Sequence, residues 1–386
     1  MSMIFDGFCS VKLSHCGMNR FPLIAFSGTS LDGGIGRNLL NLTSAFIQRG
    51  YRVDLILNDF SGPYIQQLNK KVRLFSIPTD NAITGVPWMM FYFLKYRPDV
   101  LLTPNVRLTA LAIHARKLVI RKPRIYVNVH STYGIKFQRL KQTKRAKRMK
   151  KIKRVYPDCD GILCVSNGVA DDFSEYTGIS RERLSVIYNP IDVEYLVKSA
   201  EDPIDHPWFD GSQIPVILSV GRLSEEKNIG LLINAFERVR DSTPVHLVII
   251  GDGDQSSSYK QLASSSRYVE DIVFLGHQSN PWKFMANAKV FVLSSDLEGF
   301  GNVLIEAMAV GTPVVSTDCP HGPKEILQGG KYGLLVPIGN PGKLADAISE
   351  TLENHLPIEV LTESIKRFEL GRVAEQYLSV FGLPEK

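Results

Sequence analysis

The segment formed by residues 294–306 combines carboxylates and glycines with the start of a helical pattern. Glu298 lies on the predicted turn, and Glu306 lies about one turn into an otherwise apolar helix. Gly299 and Gly301 permit close approach of a ligand to the backbone, and the helix N-terminus offers N–H groups to a phosphate. Because an unpaired carboxylate is costly to bury, Glu306 is predicted to meet a ligand with two adjacent hydroxyls, such as a ribose. The structural alternative is a buried acid paired with a nearby Arg or Lys.

A second polar cluster, residues 221–228, follows a predicted strand. Arg222 and Lys227 stand five positions apart on this loop, so both side chains can reach one diphosphate. Arginine offers a planar fork of donors, and lysine offers a compact charge. The alternative is a solvated loop in which Asn228 caps the next helix.

A glycine-rich turn follows the first predicted strand, over residues 28–37. A turn of this kind before a helix lets backbone N–H groups approach a phosphate. Its spacing is not the GxGxxG of dinucleotide sites, so an ordinary tight strand–helix turn is the alternative.

Short β-branched runs alternate with longer amphipathic stretches, which predicts parallel strands with helices on both faces. Predicted strands in the first half are 22–27, 52–57, 73–77, 100–103, 124–130, 161–166 and 184–188. Predicted strands in the second half are 216–220, 246–251, 272–275, 290–293, 313–316 and 333–336. The sequence therefore predicts an α/β protein with two doubly wound, Rossmann-like domains that face each other across a cleft. Ligands bind outside the carboxyl ends of such strands, which is where the polar clusters fall.

The domain boundaries follow from the same alternation of predicted strands and helices. Residues 1–20 are expected to be an unstructured leader, because the apolar pattern begins at Phe21. Residues 21–189 are the N-terminal domain, the proline-bearing segment 190–212 is a linker, and residues 213–370 are the C-terminal domain. Residues 371–386 are expected to return to the N-terminal domain.

Composition excludes several classes of protein. The chain has 386 residues, of which 44% are hydrophobic and 22% are charged, which is typical of globular domains rather than of disordered chains. No stretch approaches the ~20 apolar residues that a membrane span needs. Five scattered cysteines without CxxC spacing indicate neither a zinc site nor a disulfide framework.

Several motifs, taken in order, resemble those of the retaining GT-B glycosyltransferases, in particular the GT4 family of group 1 glycosyl transferases. Along the chain they are GGIG (33–36), VSNG (165–168), IYNPID (187–192), VGRLSEEKN (220–228), IGDG (250–253), EAMA (306–309) and GTPVV (311–315). The most specific is the pair of glutamates spaced as E-x7-E, Glu298 and Glu306. The resemblance covers nearly all of residues 21–379 and implies a hexosyltransferase.

The resemblance assigns roles to matching residues. Glu298 would sit beside the donor sugar, and His130 stands where the family places a histidine against that sugar; these two are the catalytic candidates. A lone histidine at a strand end is otherwise more often a structural hydrogen-bonding group. The residues that would bind the nucleotide-sugar donor are Gly34, Arg222, Lys227, Phe300, Gly301, Asn302, Val303 and Glu306.

The resemblance also implies the type of reaction. Cationic side chains and helix N–H groups would stabilise the departing nucleotide diphosphate, so no metal or other cofactor is expected. Asp252 and Asp254 resemble a metal-binding DxD but are interpreted as turn residues. Residues 319–327 favour a UDP-sugar carrying a hexose or N-acetylhexosamine. Retention without a visible nucleophile favours a front-face mechanism, in which the leaving phosphate assists the acceptor hydroxyl.

One segment carries the basic character of the chain. Residues 136–154 contain eleven Lys or Arg and no acid, and without them the net charge of +6 becomes −5, since 34 basic residues then face 39 acidic ones. The hypothesis is a basic helix that docks on an anionic membrane beside a glycan or polyprenyl-diphosphate-linked acceptor. The patch consists of Lys144, Arg145, Lys147, Arg148, Lys150 and Lys151. A solvated face or a site for a soluble anionic acceptor is the alternative.

Other functions stay open at this point. The basic run lacks aromatic residues for base stacking and the rest of the chain is acidic, so no nucleic-acid partner is expected, although an anionic-polymer-binding protein is an alternative. Another GT-B enzyme, such as a nucleotide-sugar epimerase or a phosphorylase, is a second one. We expect a role in lipopolysaccharide or other polysaccharide biosynthesis, in the cytoplasm and peripherally on the inner face of the cell membrane.

Overall fold

The computed structural model describes residues 21–77, 82–134, 141–210 and 213–385. The predicted leader therefore lies outside the described residues, as do Lys136 and Arg139 of the basic run. In the part of the chain that is described, no helix is both long and apolar enough to cross a bilayer.

The first domain, here called the N-lobe, is built on a seven-stranded parallel sheet in the order β3-β2-β1-β4-β5-β6-β7. Its strands are β1 (Leu23–Gly28), β2 (Arg52–Leu57), β3 (Arg73–Ser76), β4 (Val100–Thr103), β5 (Arg124–Val129), β6 (Gly161–Cys164) and β7 (Leu184–Val186). Its helices are α1 (Gly33–Gln48), α2 (Ala82–Tyr96), α3 (Val106–Arg116), α4 (Gln142–Val155) and α5 (Asn167–Thr177).

The second domain, the C-lobe, is built on a six-stranded parallel sheet in the order β10-β9-β8-β11-β12-β13. Its strands are β8 (Val216–Val220), β9 (His246–Ile250), β10 (Ile272–Gly276), β11 (Val290–Leu293), β12 (Val314–Thr317) and β13 (Leu334–Val336). Helix α6 (Val193–Ala200) precedes this lobe. Helices α7 (Ile229–Arg240), α8 (Ser256–Ser264), α9 (Trp282–Ala286), α10 (Asn302–Ala309), α11 (Pro323–Ile326), α12 (Pro341–Glu353) and α13 (Ile358–Ile365) follow the strands.

The predicted fold class is confirmed, since both sheets are parallel and doubly wound. All thirteen predicted strands form, with ends shifted by no more than two residues. In each sheet the strand order reverses once, between β1 and β4 and between β8 and β11. A crevice opens at such a reversal, and the predicted loops follow β1, β8 and β11 directly.

Two predictions about helices are wrong. The glycine-rich turn predicted over residues 28–37 is shorter than expected, because α1 begins at Gly33 and the glycines at 33, 34 and 36 belong to its first turn. The segment interpreted as a linker contains α6, whose N-terminus is capped by the side chain of Asp192. Both helices have N-terminal sequences that look like turns, because glycines and Pro190 interrupt the apolar period.

The last helix, α14 (Leu370–Phe381), packs on the N-lobe. Buried Tyr377 accepts a 3.0 Å hydrogen bond from Asn128 Nδ2 on β5, and Arg49 Nη2 donates to the carbonyl of Gly371 at 2.9 Å. The chain passes between the lobes near Ile191 and again near Phe368. These two segments run side by side, because the backbone N of Ile191 donates a hydrogen bond to the carbonyl of Phe368 at 2.7 Å. The lobes are therefore joined by a paired connection.

Candidate active site

The carboxyl edges of the two sheets face each other. A Cβ placed on Gly299, in the loop after β11, would lie 2.4 Å from the carbonyl oxygen of His130, which follows β5. Ser166 Oγ also donates to the carbonyl of Gly299 at 3.3 Å. Only glycine permits this approach of the lobes, so the glycine of the E-x7-E segment serves the lobe contact as well as any ligand.

Glu298 and Lys227 form an ion pair inside this cleft. Glu298 Oε1 also accepts a 2.7 Å hydrogen bond from Ser295 Oγ. The side chain of Glu298 is 10% exposed and that of Lys227 is 21% exposed. The charge of each group is therefore balanced by the other until a ligand competes for it.

The loop after β8 is held by the segment after β11. Asn228 has a left-handed backbone with φ of 43°, and its side chain caps α7 while donating to both carboxylate oxygens of Asp296 at 3.0 Å. The backbone N of Asp296 donates to Glu226 O at 2.8 Å. These bonds fix Lys227 relative to Glu298. The alternative interpretation of this loop, a helix cap at Asn228, is therefore also correct, and the cap is present together with the Lys227–Glu298 ion pair.

Arg222 is exposed and points across the cleft. Its Nη2 would lie 3.7 Å from a Cβ placed on Gly33, the first residue of α1. Open space surrounds the corresponding position of Gly34. The arginine and the two glycines are thus brought together from opposite lobes, with room between them.

Glu306 lies on α10, about one helical turn after the start of the helix at Asn302. Its Oε2 accepts a 3.0 Å hydrogen bond from Trp282 Nε1 on α9. Burial raises the pKa of the Glu306 carboxyl, while the Trp282 bond and the charge of Arg37 act against that rise. No Lys or Arg forms an ion pair with Glu306 among the described residues, in contrast to the structural alternative.

The residues predicted as backbone donors divide into two groups. Gly301 has φ of 99° and precedes α10 without a side-chain cap, so no capping side chain occupies the first amide groups of the helix, among them that of Val303. Phe300 is buried, stacks on Tyr188 with centroids 5.4 Å apart, and supports the connection between lobes. Asn302 Oδ1 accepts from Asn189 Nδ2 at 2.9 Å. Phe300 and Asn302 thus have structural contacts of their own.

His130 is largely buried, and burial lowers its pKa to about 4. The imidazole is therefore neutral at neutral pH and can act as a hydrogen-bonding group rather than as a cation.

The basic run forms helix α4 among the described residues. The apolar Ile152 and Val155 are buried against the lobe. Exposed lysines of the patch are Lys144, Lys147, Lys150 and Lys151, whereas Arg145 and Arg148 are partly buried. The guanidinium of Arg145 lies 5.1 Å from the ring centroid of Tyr176. The exposed surface of the patch is therefore formed by lysines, whereas its two arginines pack partly against the protein.

Sequence reasoning missed three residues in the cleft: Arg37, Trp282 and Glu325. Glu325 of α11 accepts hydrogen bonds from the backbone N of Asn167 (3.0 Å) and of Gly168 (2.8 Å), which ties the C-lobe to the N-terminus of α5. Arg37 follows Gly33 by four positions, which places both on one face of α1. That spacing is the signal from which Arg37 could have been found.

Comparisons with known proteins agree with this geometry. Residues 206–368 match the family model of the glycosyl transferases group 1, and residues 32–195 match that of Glycosyltransferase Family 4. The N-acetylgalactosamine-N,N'-diacetylbacillosaminyl-diphospho-undecaprenol 4-alpha-N-acetylgalactosaminyltransferase of Campylobacter jejuni is 29% identical over 84% of this chain and 88% of its own. The lipopolysaccharide core biosynthesis glycosyltransferase LpsE of Rhizobium meliloti is 34% identical over 52% of this chain and 56% of its own.

Solved structures share the fold. A glycosyltransferase of Rickettsia africae superposes with a TM-score of 0.78 at 18% identity, covering 94% of this chain and 98% of its own. HepE of Anabaena, solved in complex with UDP, superposes with a TM-score of 0.75 at 18% identity, covering 94% of this chain and 100% of its own. The two-lobed arrangement is common to all three.

Proposed function

Because this chain belongs to the group 1 glycosyl transferases and is a GT-B hexosyltransferase, we propose that it moves a hexose or N-acetylhexosamine from a UDP-sugar to a lipid-linked or surface-polysaccharide acceptor. The observation that carries the proposal is the convergence of Arg222, Lys227, Glu298 and Glu306 on one cleft between the lobes. The UDP complex of HepE and the diphospho-undecaprenol substrate named for the Campylobacter relative support the donor and the acceptor.

The donor is proposed to lie along the C-lobe side of the cleft. Glu306 accepts hydrogen bonds from the ribose hydroxyls, because its carboxylate has a single neutral donor, Trp282, in the described structure. Arg222 and Lys227 contact the diphosphate, and the first amides of α10 add further donors. For Lys227 to do so, it leaves Glu298, which then turns to the sugar hydroxyls.

The chemistry follows from charge development at the leaving group. As the glycosidic bond breaks, the diphosphate gains negative charge that Arg222, Lys227 and the helix amides stabilise without a metal. The bond from the anomeric carbon to the acceptor oxygen forms on the face from which UDP departs, and the acceptor proton passes to the leaving phosphate. The anomeric configuration is thereby retained. Neutral His130 hydrogen-bonds the sugar.

The donor proposal is tested by titrating UDP, GDP and CDP calorimetrically into the wild-type protein. Preference for UDP is expected, together with transfer from UDP-sugars that continues in EDTA and gives an α-linked product from an α-linked donor by NMR. Binding of none of these nucleotides would contradict the proposal. Rapid isomerisation of a UDP-sugar without any acceptor would favour an epimerase instead.

The acceptor is proposed to bind the N-lobe at the membrane surface, with α4 on the anionic headgroups. Each lysine near an anionic leaflet contributes about 1 kcal/mol of attraction. Lys144, Lys147 and Lys150 lie on the exposed side of α4, opposite the buried Ile152. This orientation lets the charges face lipid while the helix stays packed.

Cosedimentation with vesicles containing phosphatidylglycerol tests this surface. Replacing Lys144, Lys147 and Lys150 with glutamine is expected to lower the partition coefficient by about 100-fold at low salt. The matched control replaces three exposed C-lobe lysines, Lys260, Lys331 and Lys343, and leaves binding nearly unchanged. Equal losses in both variants, or no binding of the wild type at low salt, would contradict docking through α4.

A further inference from the structure

Arg37 of α1 is a buried cation held among aromatic rings from three parts of the molecule. Its side chain belongs to a residue only 6% exposed. Its guanidinium carbon lies 4.7 Å from the ring centroids of both Tyr195 on α6 and Trp282 on α9, and 5.5 Å from that of Tyr64 after β2. Arg37 therefore belongs to the N-lobe, but its charged group contacts both the segment that connects the lobes and the C-lobe.

The polar partner of Arg37 is neutral. Nη1 donates to Gln67 Oε1 at 3.0 Å, and no carboxylate lies within ion-pair distance of Arg37 in the described ranges. A buried charge without a counter-ion is costly, so a purely structural side chain at this position would be better served by an apolar residue. The cation is therefore expected to act on a negative group nearby.

That group is Glu306. Trp282 lies between them, with one face under the Arg37 guanidinium and its Nε1 donating to Glu306 Oε2 at 3.0 Å. Gly33, four residues earlier on the same helix, faces Arg222. Helix α1 thus lies along the proposed nucleotide, with its first residue at the diphosphate and its second turn at the ribose carboxylate.

We infer that Arg37 is a positioning residue that acts from the N-lobe on Glu306, holding it ionised and oriented for the ribose when the lobes are closed. This inference rests on the proposed function. It adds that nucleotide affinity depends on a residue of the lobe opposite the donor site, so that ribose binding and closure of the lobes favour each other.

The groups that surround Glu306 are consistent with this role. Besides Arg37, Tyr64 is a titratable group that interacts with Glu306, and Tyr195 and Asp32 in turn lie close to Tyr64. Burial raises the pKa of Tyr64, so that this phenol is neutral at neutral pH. Arg37 is the cation among these groups that opposes protonation of Glu306.

The first test is made without nucleotide. Protonation of Glu306 changes the fluorescence of its partner Trp282, so a pH titration of intrinsic fluorescence reports the carboxyl. Replacing Arg37 with methionine, which keeps the stacking volume and removes the charge, is expected to raise the midpoint by about one pH unit. Glu306→Gln identifies the transition by abolishing it. A midpoint equal to that of the wild type in Arg37→Met would overturn the inference.

The second test is calorimetric binding of UDP at neutral pH. Arg37→Met is expected to weaken UDP about tenfold, Arg37→Lys to recover part of the loss, and Arg37→Met in a Glu306→Gln background to cost less than about twofold. Arg49→Met, at the end of the same helix, is the control for packing and should leave the affinity unchanged. An equal loss with and without Glu306 would show that Arg37 does not act through it.

The two tests separate the inference from the function. Failure of the wild type to bind UDP would contradict the proposed donor, whereas the fluorescence titration would still decide whether Arg37 controls Glu306. Thermal unfolding of each variant shows whether the fold is retained.

Discussion

Asp54 in the N-lobe and Glu306 in the C-lobe are both carboxylates among apolar residues, but their surroundings differ. The Asp54 side chain is fully buried on β2 and accepts two hydrogen bonds from Arg73, at 2.7 and 2.9 Å, and one from Tyr92 OH at 2.6 Å. Glu306 accepts one, from Trp282 at 3.0 Å, and stays partly exposed in the cleft.

The number of hydrogen bonds that each carboxylate accepts separates an acid that stabilises the fold from an acid that is available to bind a ligand. The lone pairs of Asp54 are satisfied within the lobe, so that carboxylate stabilises the folded chain. Glu306 keeps unused acceptor capacity beside a cleft with cations and helix amides, so its cost to the fold is offset only when a ligand binds. The hydrogen bonds that each carboxylate accepts therefore distinguish the two acids more sharply than their difference in burial.

The largest expected effect is on Asp54. Replacing it with alanine leaves the Tyr92 hydroxyl and Arg73 without their partner, and is expected to lower the free energy of unfolding by about 3 kcal/mol. Urea unfolding measures the loss. UDP affinity of the folded fraction should be unchanged, and a specific loss of UDP binding would break the comparison.

Glu306→Ala is expected to weaken UDP binding and to leave the stability of the fold nearly unchanged, the reverse of the Asp54 variant. Loss of the ribose contacts should weaken UDP about 100-fold, since it removes charge-assisted hydrogen bonds, while the free energy of unfolding stays within about 1 kcal/mol of the wild type. Calorimetry and urea unfolding on the same sample check both. A variant that unfolds readily yet binds UDP normally would make Glu306 a second structural acid.

Tyr92→Phe sharpens the structural side of the comparison. The phenol pKa of Tyr92 is raised well above its usual value by burial and by the neighbouring Asp54 charge, so the hydroxyl is a donor at all working pH values. Removing it should cost about 1.5 kcal/mol of unfolding free energy. Donor affinity, measured in parallel, is expected to stay as in the wild type.

The last prediction concerns the pH dependence of stability, whose effect accumulates gradually with each pH unit. Because burial lowers the pKa of His130 from 6.5 to about 4, the unfolded chain binds a proton in this window and the folded chain does not. Stability should therefore fall as the pH drops from 6.5 toward 4, by at most about 1.4 kcal/mol per pH unit from this residue. His130→Gln should flatten that part of the profile, and an unchanged slope would contradict it.

The sequence predicted both sheets because each strand is a short β-branched run bounded by turn residues, a pattern that tertiary contacts reinforce. Helix starts were less predictable. The glycines of α1 resemble a turn, yet the close fit of Gly36 against the backbone of Leu31 is compatible with the first helical turn. Helix α6 was missed because Pro190, Pro203 and Pro207 flank it and give the whole segment the look of a linker.

The C-lobe side of the site was readable, because Arg222, Lys227, Glu298 and Glu306 follow strands on glycine-marked loops. On the N-lobe side, Gly34 and His130 were predicted from the sequence, whereas Arg37 was missed. The spacing of four from Gly33 places Arg37 on the same face of α1, but its importance comes from contacts with Tyr195 and Trp282, which are more than 150 positions away. Contacts between lobes leave no periodic signal in the chain.

A crystal structure of the protein with UDP tests the central claim most directly. We predict the ribose hydroxyls on the Glu306 carboxylate and the diphosphate between Arg222 and the α10 amides, with Lys227 released from Glu298. UDP bound outside the cleft, or within it but away from Glu306 and Arg222, would contradict the account.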